Sequence, residues 1–334
     1  MFAWSCFSLV GVLSAWLQIP YIHPLCSSPA ETAPPRALSP RFVAMLSFDQ
    51  LAALDLTLWL GSGASAAEVL DVNQSTVSRQ QAAVLRLLGL RLIRRPDGPR
   101  LKGDLELLRA ERVVQQLARL KGFAPLRIDA NYASGPWFLN PVPGGWIRGR
   151  FDLPGLQRPL ALLRERVLDA WLCNYQPNLP PADDPEWWVL DLLRAPMQLL
   201  ASADHPLAAA RQLRQCDLER FPSLALPTGW FPHTESHLRR QGLWRQAVQF
   251  HRYDPDDWEG RSRDGVTLLY GNSLTEALMP CTTRLDWDLQ LLGGDALVVR
   301  RDIVDQPAIQ QLAASLQVRA RQIAGQFADV QALN

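Results

Sequence analysis

Five polar side chains within seven residues carry the groups in this sequence that are best suited to chemistry. Asn73, Gln74, Ser75 and Thr76 are consecutive, and Arg79 follows three residues later. Amide, hydroxyl and guanidinium groups of this kind form hydrogen bonds with the edges of DNA bases and with phosphate oxygens. If the segment is a helix, Gln74, Ser75, Thr76 and Arg79 share one surface, which predicts a contact with the DNA major groove.

The charge distribution along the chain supports a local nucleic-acid site. Residues 79–102 contain six arginines and one lysine against a single acid, Asp97, which gives a local charge of +6. The whole chain of 334 residues has a net charge of only +1. This balance excludes a uniformly basic binder and indicates that any contact with phosphates is concentrated in this segment.

The elements that must position these residues are three short helices and a hairpin. Apolar residues at Leu51, Leu54 and Leu58 have helical spacing, and Val77 and Val84 define the buried face of the helix that carries the polar residues. Asn73 is a favourable N-cap for that helix. The predicted elements are helices over residues 46–60, 64–70 and 74–88, a turn at 71–73, and strands at 90–94 and 100–102 joined by a turn at 96–99.

A charged amphipathic helix is predicted next, over residues 104–121. Its apolar stripe consists of Leu105, Leu108, Leu117 and Leu120. Nothing adjacent in sequence must cover that stripe, so a second copy of the chain is the simplest partner. Burial within the chain's own domain is the alternative.

The remainder of the chain alternates between strand and helix patterns, which indicates an α/β sheet structure. Strands are expected at residues 126–130, 169–173, 197–201, 223–226, 266–270 and 296–300, with helices over 160–168 and 306–327.

The N-terminal 44 residues form a separate segment. Residues 2–22 are apolar and uncharged, but no Lys or Arg occurs before Arg36, whereas a secretory signal normally begins with a positive region. We expect translation to start at Met45 and residues 1–44 to be a non-native or disordered extension. A membrane anchor and a natural disordered tail are the alternatives.

Composition sets further limits on the function. The hydrophobic fraction of 48% and charged fraction of 20% are those of a globular protein with two or three domains. The five cysteines are scattered without a CxxC pair, which favours a reducing cytoplasm. No nucleophile with a defined base partner stands out, so neither an enzyme nor a cofactor is expected.

Residues 61–79, GSGASAAEVLDVNQSTVSR, resemble the helix-turn-helix of LysR-type transcriptional regulators. The residues that follow the family pattern are Gly61, Ser62, Ala66, Ala67, Leu70, Val72, Gln74, Ser75, Val77, Ser78 and Arg79, continued by Leu88, Gly89, Leu92 and Arg95. Residues 126–130, 168–172 and 200–207 resemble segments of the family's effector domain. Gly63 departs from the pattern, because the family usually has an aromatic residue there. Residues 146–168 look too short for the helix and strand that the family places in this region, which predicts an incomplete effector pocket.

The resemblance implies an α+β multidomain fold. Its parts are a winged helix-turn-helix DNA-binding domain at residues 45–103, a linker or dimerisation helix at 104–121, and an α/β effector domain at 126–318 that is similar to periplasmic binding proteins. The effector domain divides into subdomain I, about 126–194 and 289–318, and subdomain II, about 195–288. Residues 319–334 form a C-terminal tail or helix.

The resemblance also implies a function: a sequence-specific DNA-binding transcriptional regulator that responds to a small-molecule effector. The expected partners are double-stranded DNA and a second copy in a homodimer or homotetramer, without a metal and without a membrane, in the bacterial cytoplasm at the nucleoid. Gln74 and Arg79 are the best candidates for base contacts. The full set of expected DNA-contacting residues is Asn73, Gln74, Ser75, Thr76, Ser78, Arg79, Arg94, Arg95, Arg100 and Lys102, and the expected effector-binding residues are Asn131, Ser134, Thr228, Asn272 and Ser273.

Three alternatives remain at this point. Gly61-Ser62-Gly63 with Ala66 also satisfies a nucleotide-binding fingerprint, which requires a strand-to-helix loop. His233 and His237, with His251 beyond, have a spacing that suits metal ligands on one helix face. A solute-binding protein would use the α/β part alone and would have no use for residues 61–79.

Overall fold

The computed structural model describes residues 46–95, 98–153, 155–247, 264–279 and 281–333. The described residues belong to one compact unit. The predicted N-terminal extension, Pro96 and Asp97 of the predicted turn, and His251 of the metal-site alternative lie outside the described residues.

The described chain begins with three helices that agree with the sequence prediction: α1 (Phe48–Leu60), α2 (Gly63–Leu70) and α3 (Gln74–Leu87). The Ser47 hydroxyl caps α1 by accepting a hydrogen bond from the Gln50 backbone amide at 3.2 Å, and Gln50 Oε1 accepts one from the Ser47 backbone amide at 3.1 Å. The break between α1 and α2 needs a left-handed residue, which Gly61 supplies with φ 81°. Ser62 then caps α2.

A two-stranded antiparallel hairpin follows α3, made of β1 (Arg91–Ile93) and β2 (Arg100–Lys102). Leu92 and Leu101 face each other in its register and pack on the cluster formed by Leu51, Leu54 and Val84. The three helices and the hairpin therefore share one apolar centre.

Helix α4 (Glu106–Leu120) is covered largely by its own chain. Leu108 is fully buried against α1, and Leu105 and Leu120 pack on neighbouring clusters. Of the predicted stripe only Leu117 is half exposed, at 50%. For most of the stripe the structure therefore supports the alternative, burial within the chain's own domain, because α1 and the α/β part cover Leu105, Leu108 and Leu120. The exposed apolar residues of α4 are Leu107, Val113, Val114 and Leu117.

The first of two larger sheets has the order β4-β3-β5-β12-β6. Its strands are β3 (Leu126–Ala130), β4 (Trp146–Arg148), β5 (Ala170–Cys173), β6 (Trp187–Asp191) and β12 (Ala296–Arg300). β3 is parallel to β4 and β5, whereas β12 runs antiparallel to β5 and β6. The helices on this part are α5 (Gly135–Phe138) and α6 (Gln157–Arg164). Residues 146–168 thus hold both a strand and a helix, contrary to the expectation that they are too short.

The second sheet has the order β10-β7-β11, with a short strand β13 on β7, and all its pairings are antiparallel. Its strands are β7 (Leu193–Ser202), β10 (Leu269–Gly271), β11 (Thr282–Gly293) and β13 (Gln331–Ala332). The elements around it are α7 (Gln215–Leu218), the parallel pair β8 (Leu224–Ala225) and β9 (Gln246–Ala247), α8 (Pro232–Arg240), α9 (Ser273–Ala277) and the closing helix α10 (Pro307–Ala324). The chain passes from one sheet to the other at Leu192 and again at Gly294. Glycine is required at 294 because the Cβ of any other residue there would lie only 2.4 Å from the Leu193 carbonyl oxygen.

Buried charges join the three-helix part to the α/β part. Arg112 on α4 binds Asp55 on α1 at 2.6 Å, with side chains only 2% and 1% exposed. Arg119 on α4 binds Asp169 before β5 at 2.8 Å, with 2% and 0% exposed. Ala53, Leu56 and Trp59 of α1 belong to the same apolar cluster as residues of α6, β5 and β12. The two parts therefore form a continuous core.

Candidate nucleic-acid interface and ligand cavity

The polar residues at the beginning of α3 form an exposed surface. Asn73, Gln74, Ser75, Ser78 and Arg79 are exposed, and Thr76 is partly buried. On the opposite face of the helix, Val77 and Val84 are fully buried. The core therefore fixes the rotation of α3, which directs its polar edge to solvent.

The N-terminus of α3 is suited to an anion. Asn73 occupies the N-cap position, as predicted, but its side chain makes no capping hydrogen bond. The helix has 14 residues and no acidic side chain in its first turn. Its first amide groups and its partial positive charge therefore favour a phosphate at this end. The guanidinium of Arg79 donates to the Thr76 hydroxyl at 3.2 Å, which orients it along the same edge.

The hairpin places further positive charge on the same part of the chain. Arg94, Arg95, Arg100 and Lys102 are all exposed. Arg91, which sequence reasoning did not single out, is also exposed and lies directly opposite Lys102 in the hairpin register. Like charges directly opposite each other destabilise a strand pair, and a bound phosphate relieves this repulsion. The cross-strand register was the missing signal.

A cavity of about 100 Å³ lies between the two large sheets. Tyr132 follows β3, and Asn174 follows β5, so both are at the carboxyl ends of adjacent parallel strands, where α/β proteins commonly bind ligands. The second sheet and its helices close the other side. The residues that line the cavity are Tyr132, Asn174, Tyr175, Gln176, Asn178, Met197, Leu224, Leu226, Phe231, Thr234, Trp244, Tyr270, Gly271, Thr275 and Leu291.

The five residues expected to bind an effector are not among the described residues that line this cavity, but two of them, Asn131 and Asn272, hold residues of its wall. Asn131 is buried and donates to the side chain of Asn174. Asn272 caps α9 by accepting from the Thr275 amide at 3.0 Å. Ser273 donates to Asp329 at 2.5 Å, and Ser134 donates to buried Asp295. Thr228 is exposed.

The cavity residues that sequence reasoning missed are mainly aromatic. Tyr132 and Tyr175 each lie two residues beyond a predicted strand end, and that position was an available signal. Phe231, Trp244 and Tyr270 reach the cavity through long-range packing, which no local pattern shows. Burial raises the pKa of the Tyr270 phenol to about 12, so this hydroxyl is neutral at physiological pH.

A buried carboxyl group connects α1 to the sheet that carries the cavity wall. The indole of Trp59 on α1 donates to Asp129 in β3, two residues before Asn131. Burial raises the pKa of Asp129 to about 7. Likewise, burial raises the pKa of Asp295, at the second crossover, to about 6.

The structure does not support two of the sequence alternatives. Gly61 ends α1 and Ser62 caps α2, so Gly61-Ser62-Gly63 joins two helices rather than a strand and a helix. His237 Nε2 lies 2.7 Å from the carbonyl oxygen of Leu289. Within the described residues, no group of three or more His, Cys, Asp or Glu side chains is arranged to hold a metal ion. The same part of the chain contains no helix with the length and apolar character of a membrane span.

Comparison with known proteins gives a consistent result. A family model described as "LysR substrate binding domain" matches residues 151–254. A "Probable nitrogen assimilation transcriptional activator" of Synechococcus elongatus is 28% identical over 243 residues, which cover 67% of this chain and 77% of that protein.

Over residues 151–254 the chain is therefore similar to the substrate-binding domain of LysR-type proteins. Among solved structures, full-length OxyR from Pseudomonas aeruginosa with a cysteine-to-aspartate substitution has a TM-score of 0.50 and 18% identity, and covers 82% of this chain and 95% of that one. This likeness shows that the two chains share a fold. ArgP from Mycobacterium tuberculosis has a TM-score of 0.49 and 19% identity, with 81% and 96% covered.

Proposed function

We propose that this chain is a LysR-type, sequence-specific DNA-binding transcriptional regulator that responds to a small molecule. The observation that carries the proposal is the exposed polar edge of α3 beside a basic hairpin, on a helix whose other face is fully buried. In this proposal α1, α2, α3 and the hairpin form a winged helix-turn-helix, with α3 in the major groove. The function places the protein with the chromosome, in the bacterial cytoplasm.

The contacts of this interface divide into two kinds. Gln74 and Arg79 read base edges, because amide and guanidinium groups form paired hydrogen bonds with adenine and guanine. Arg94, Arg95, Arg100 and Lys102 bind phosphates, and Asn73, Ser75, Thr76 and Ser78 contact the backbone and bases around them. The proposal adds Arg91 to the phosphate contacts because of its position opposite Lys102.

A second copy of the chain is the proposed protein partner. The four exposed apolar residues of α4, Leu107, Val113, Val114 and Leu117, lie on the side of the helix away from its own domain. Contact between two such helices buries these side chains and places two α3 helices on one DNA molecule, as a partly palindromic site requires.

The cavity between the sheets is the proposed effector site. Its wall residue Asn174 is held by Asn131, and Asn131 follows β3, whose Asp129 binds Trp59 of α1. A ligand that moves the second sheet toward β3 acts on α1 through this short path. The packing between α1 and the α/β part supports such a response. The solute-binding alternative leaves the exposed edge of α3 without a use.

A gel shift with the DNA upstream of the protein's own gene tests the function. We expect a specific complex that competitor DNA of scrambled sequence does not abolish. Arg79→Ala should weaken binding by roughly 1–3 kcal/mol and relax the preference at one base pair. Arg94→Ala, the matched arginine on the hairpin, should weaken binding to all sequences and lower the salt slope by about 1. Equal loss on every DNA from Arg79→Ala would refute base reading by α3.

A further inference from the structure

The described residues that line the cavity between the sheets are uncharged. The fifteen described residues that form it include no Asp, Glu, Lys, Arg or His. Five of them are aromatic: Tyr132, Tyr175, Phe231, Trp244 and Tyr270. Moving an anion from water into such a site without a counter-charge costs several kcal/mol or more, whereas an apolar ring gains from the same transfer.

The polar groups in this wall are mostly engaged by the protein itself. The amide nitrogen of Asn178 donates to the Tyr175 carbonyl and the Thr234 hydroxyl, and its oxygen accepts from two backbone amides of α8. Thr275 donates to Asn272. The Tyr270 hydroxyl accepts from the Trp244 amide at 2.9 Å. These groups shape the cavity and have little remaining capacity to solvate a charged ligand.

One donor in the described part of this wall is buried and unsatisfied. The indole nitrogen Nε1 of Trp244 is buried, and no group among the described residues accepts a hydrogen bond from it. Trp244 is 3% exposed and stacks on Tyr270, with ring centroids 5.8 Å apart. A buried hydrogen-bond donor that lacks an acceptor lowers the stability of the folded chain. A ligand oxygen that accepts from this indole removes that cost.

We infer that the effector is an uncharged molecule of about one six-membered ring that carries a hydrogen-bond acceptor. The inference rests on the proposed function and specifies the ligand class of its effector site. The cavity of about 100 Å³ is smaller than the roughly 150 Å³ of an apolar cavity that binds benzene, so a single ring is the upper limit of size and its entry requires the lining to move outward slightly. Carboxylates and phosphates are excluded because the described wall holds no cation to offset their charge.

Matched ligands that differ in charge test the class. The melting temperature and calorimetric affinity of the full chain are measured with benzamide, benzyl alcohol and anisole, and with benzoate. We expect at least one uncharged compound to bind at least tenfold more tightly than benzoate. Preference for benzoate, or no binding by any uncharged compound, overturns the inference. A gel shift on the same preparation tests the regulator assignment separately, because DNA binding does not depend on which ligand binds.

Four variants test whether this preference arises in the cavity. Met197→Lys introduces a cation of similar shape into the wall and should reverse the preference toward benzoate, and Leu291→Lys serves if the first variant does not fold. Leu292→Lys adds the same charge at a neighbouring residue that is 56% exposed and absent from the wall, and should change nothing. Trp244→Phe should weaken benzamide, which has an acceptor, more than toluene, which has none. Equal effects of Met197→Lys and Leu292→Lys would contradict the assignment.

Discussion

Loss of the carboxylate of Asp55 should uncouple α1 from the rest of the chain at a large cost in stability. Asp55 is 1% exposed and accepts from Arg112 Nε at 3.0 Å and Nη2 at 2.6 Å. A second buried guanidinium, Arg127 Nη1, lies 3.8 Å from its other oxygen. The change Asp55→Asn leaves both cations buried with the same shape around them but without this negative charge.

The size of the effect depends on which partners each guanidinium group retains after Asp55 is replaced. Arg112 retains Glu165 at 2.9 Å, and Arg127 retains a hydrogen bond to the Val167 carbonyl oxygen at 3.2 Å and the electrostatic attraction of Asp169. Burial already lowers the pKa of Arg127 to about 10, so its environment opposes the charged form. Breaking a buried ion pair costs about 3–5 kcal/mol. Because Glu165 compensates Arg112 in part, we expect the lower end of this range, about 3 kcal/mol.

Urea unfolding followed by circular dichroism measures the free energy directly. Glu68→Gln on exposed α2 removes the same charge from the surface and should change stability by less than about 0.5 kcal/mol. The double variant Asp55→Leu with Arg112→Met should recover part of the loss, because apolar side chains replace both partners. If Asp55→Asn costs no more than Glu68→Gln, the buried contact between α1 and α4 is wrong.

Three further predictions concern other parts of the chain. Asp129 should lower the free energy of unfolding as the pH rises from about 4 to about 7, by up to about 1.4 kcal/mol per pH unit, because the folded chain keeps a proton that the unfolded chain releases. The urea midpoint should therefore fall less steeply with pH in Asp129→Asn than in the unaltered protein, and equal slopes would contradict the prediction. Gly63→Ala should stabilise by about 0.4–1 kcal/mol in the same assay, because the new Cβ meets atoms of Gln74 and Val77 only at 3.9 Å. Leu117→Glu should lower the molecular mass measured by light scattering toward that of a monomer, whereas Val318→Glu, at a similarly exposed site on α10, should not. An unchanged mass for Leu117→Glu would show that α4 does not form the contact between copies.

Local sequence patterns were sufficient to predict the N-terminal helices and hairpin, but they were not sufficient to predict the residues that line the cavity. The helices around Gly61 and Asn73 depend on caps and apolar spacing within a few residues, and sequence shows these directly. β11 was missed although Leu285 and Leu289 alternate with exposed Asp286 and Asp288, a period of two that indicates a half-buried strand.

The features that sequence did not reveal depend on distant parts of the chain. The ion pairs that hold α4 in place involve Asp55 and Asp169, which are far from it in sequence. The cavity wall combines Tyr132 with Trp244 and Tyr270 across two sheets. The expected residues Asn131 and Asn272 lie beside the wall rather than in it, because their short side chains are used to fix neighbouring backbone and side chains.

DNA cleavage from iron–EDTA attached to α3 tests the central claim most directly. The reagent is coupled to Ser78→Cys, an exposed position on α3, after the exposed Cys216 and Cys281 and the N-terminal Cys6 and Cys26 are changed to serine. Gln326→Cys, exposed near the end of the chain, serves as the control position. The account predicts strand cleavage confined to a few base pairs within the bound site from Ser78→Cys and none from Gln326→Cys. A protein that binds DNA with normal affinity, yet gives no localised cleavage from Ser78→Cys, would show that α3 is not the helix in the groove.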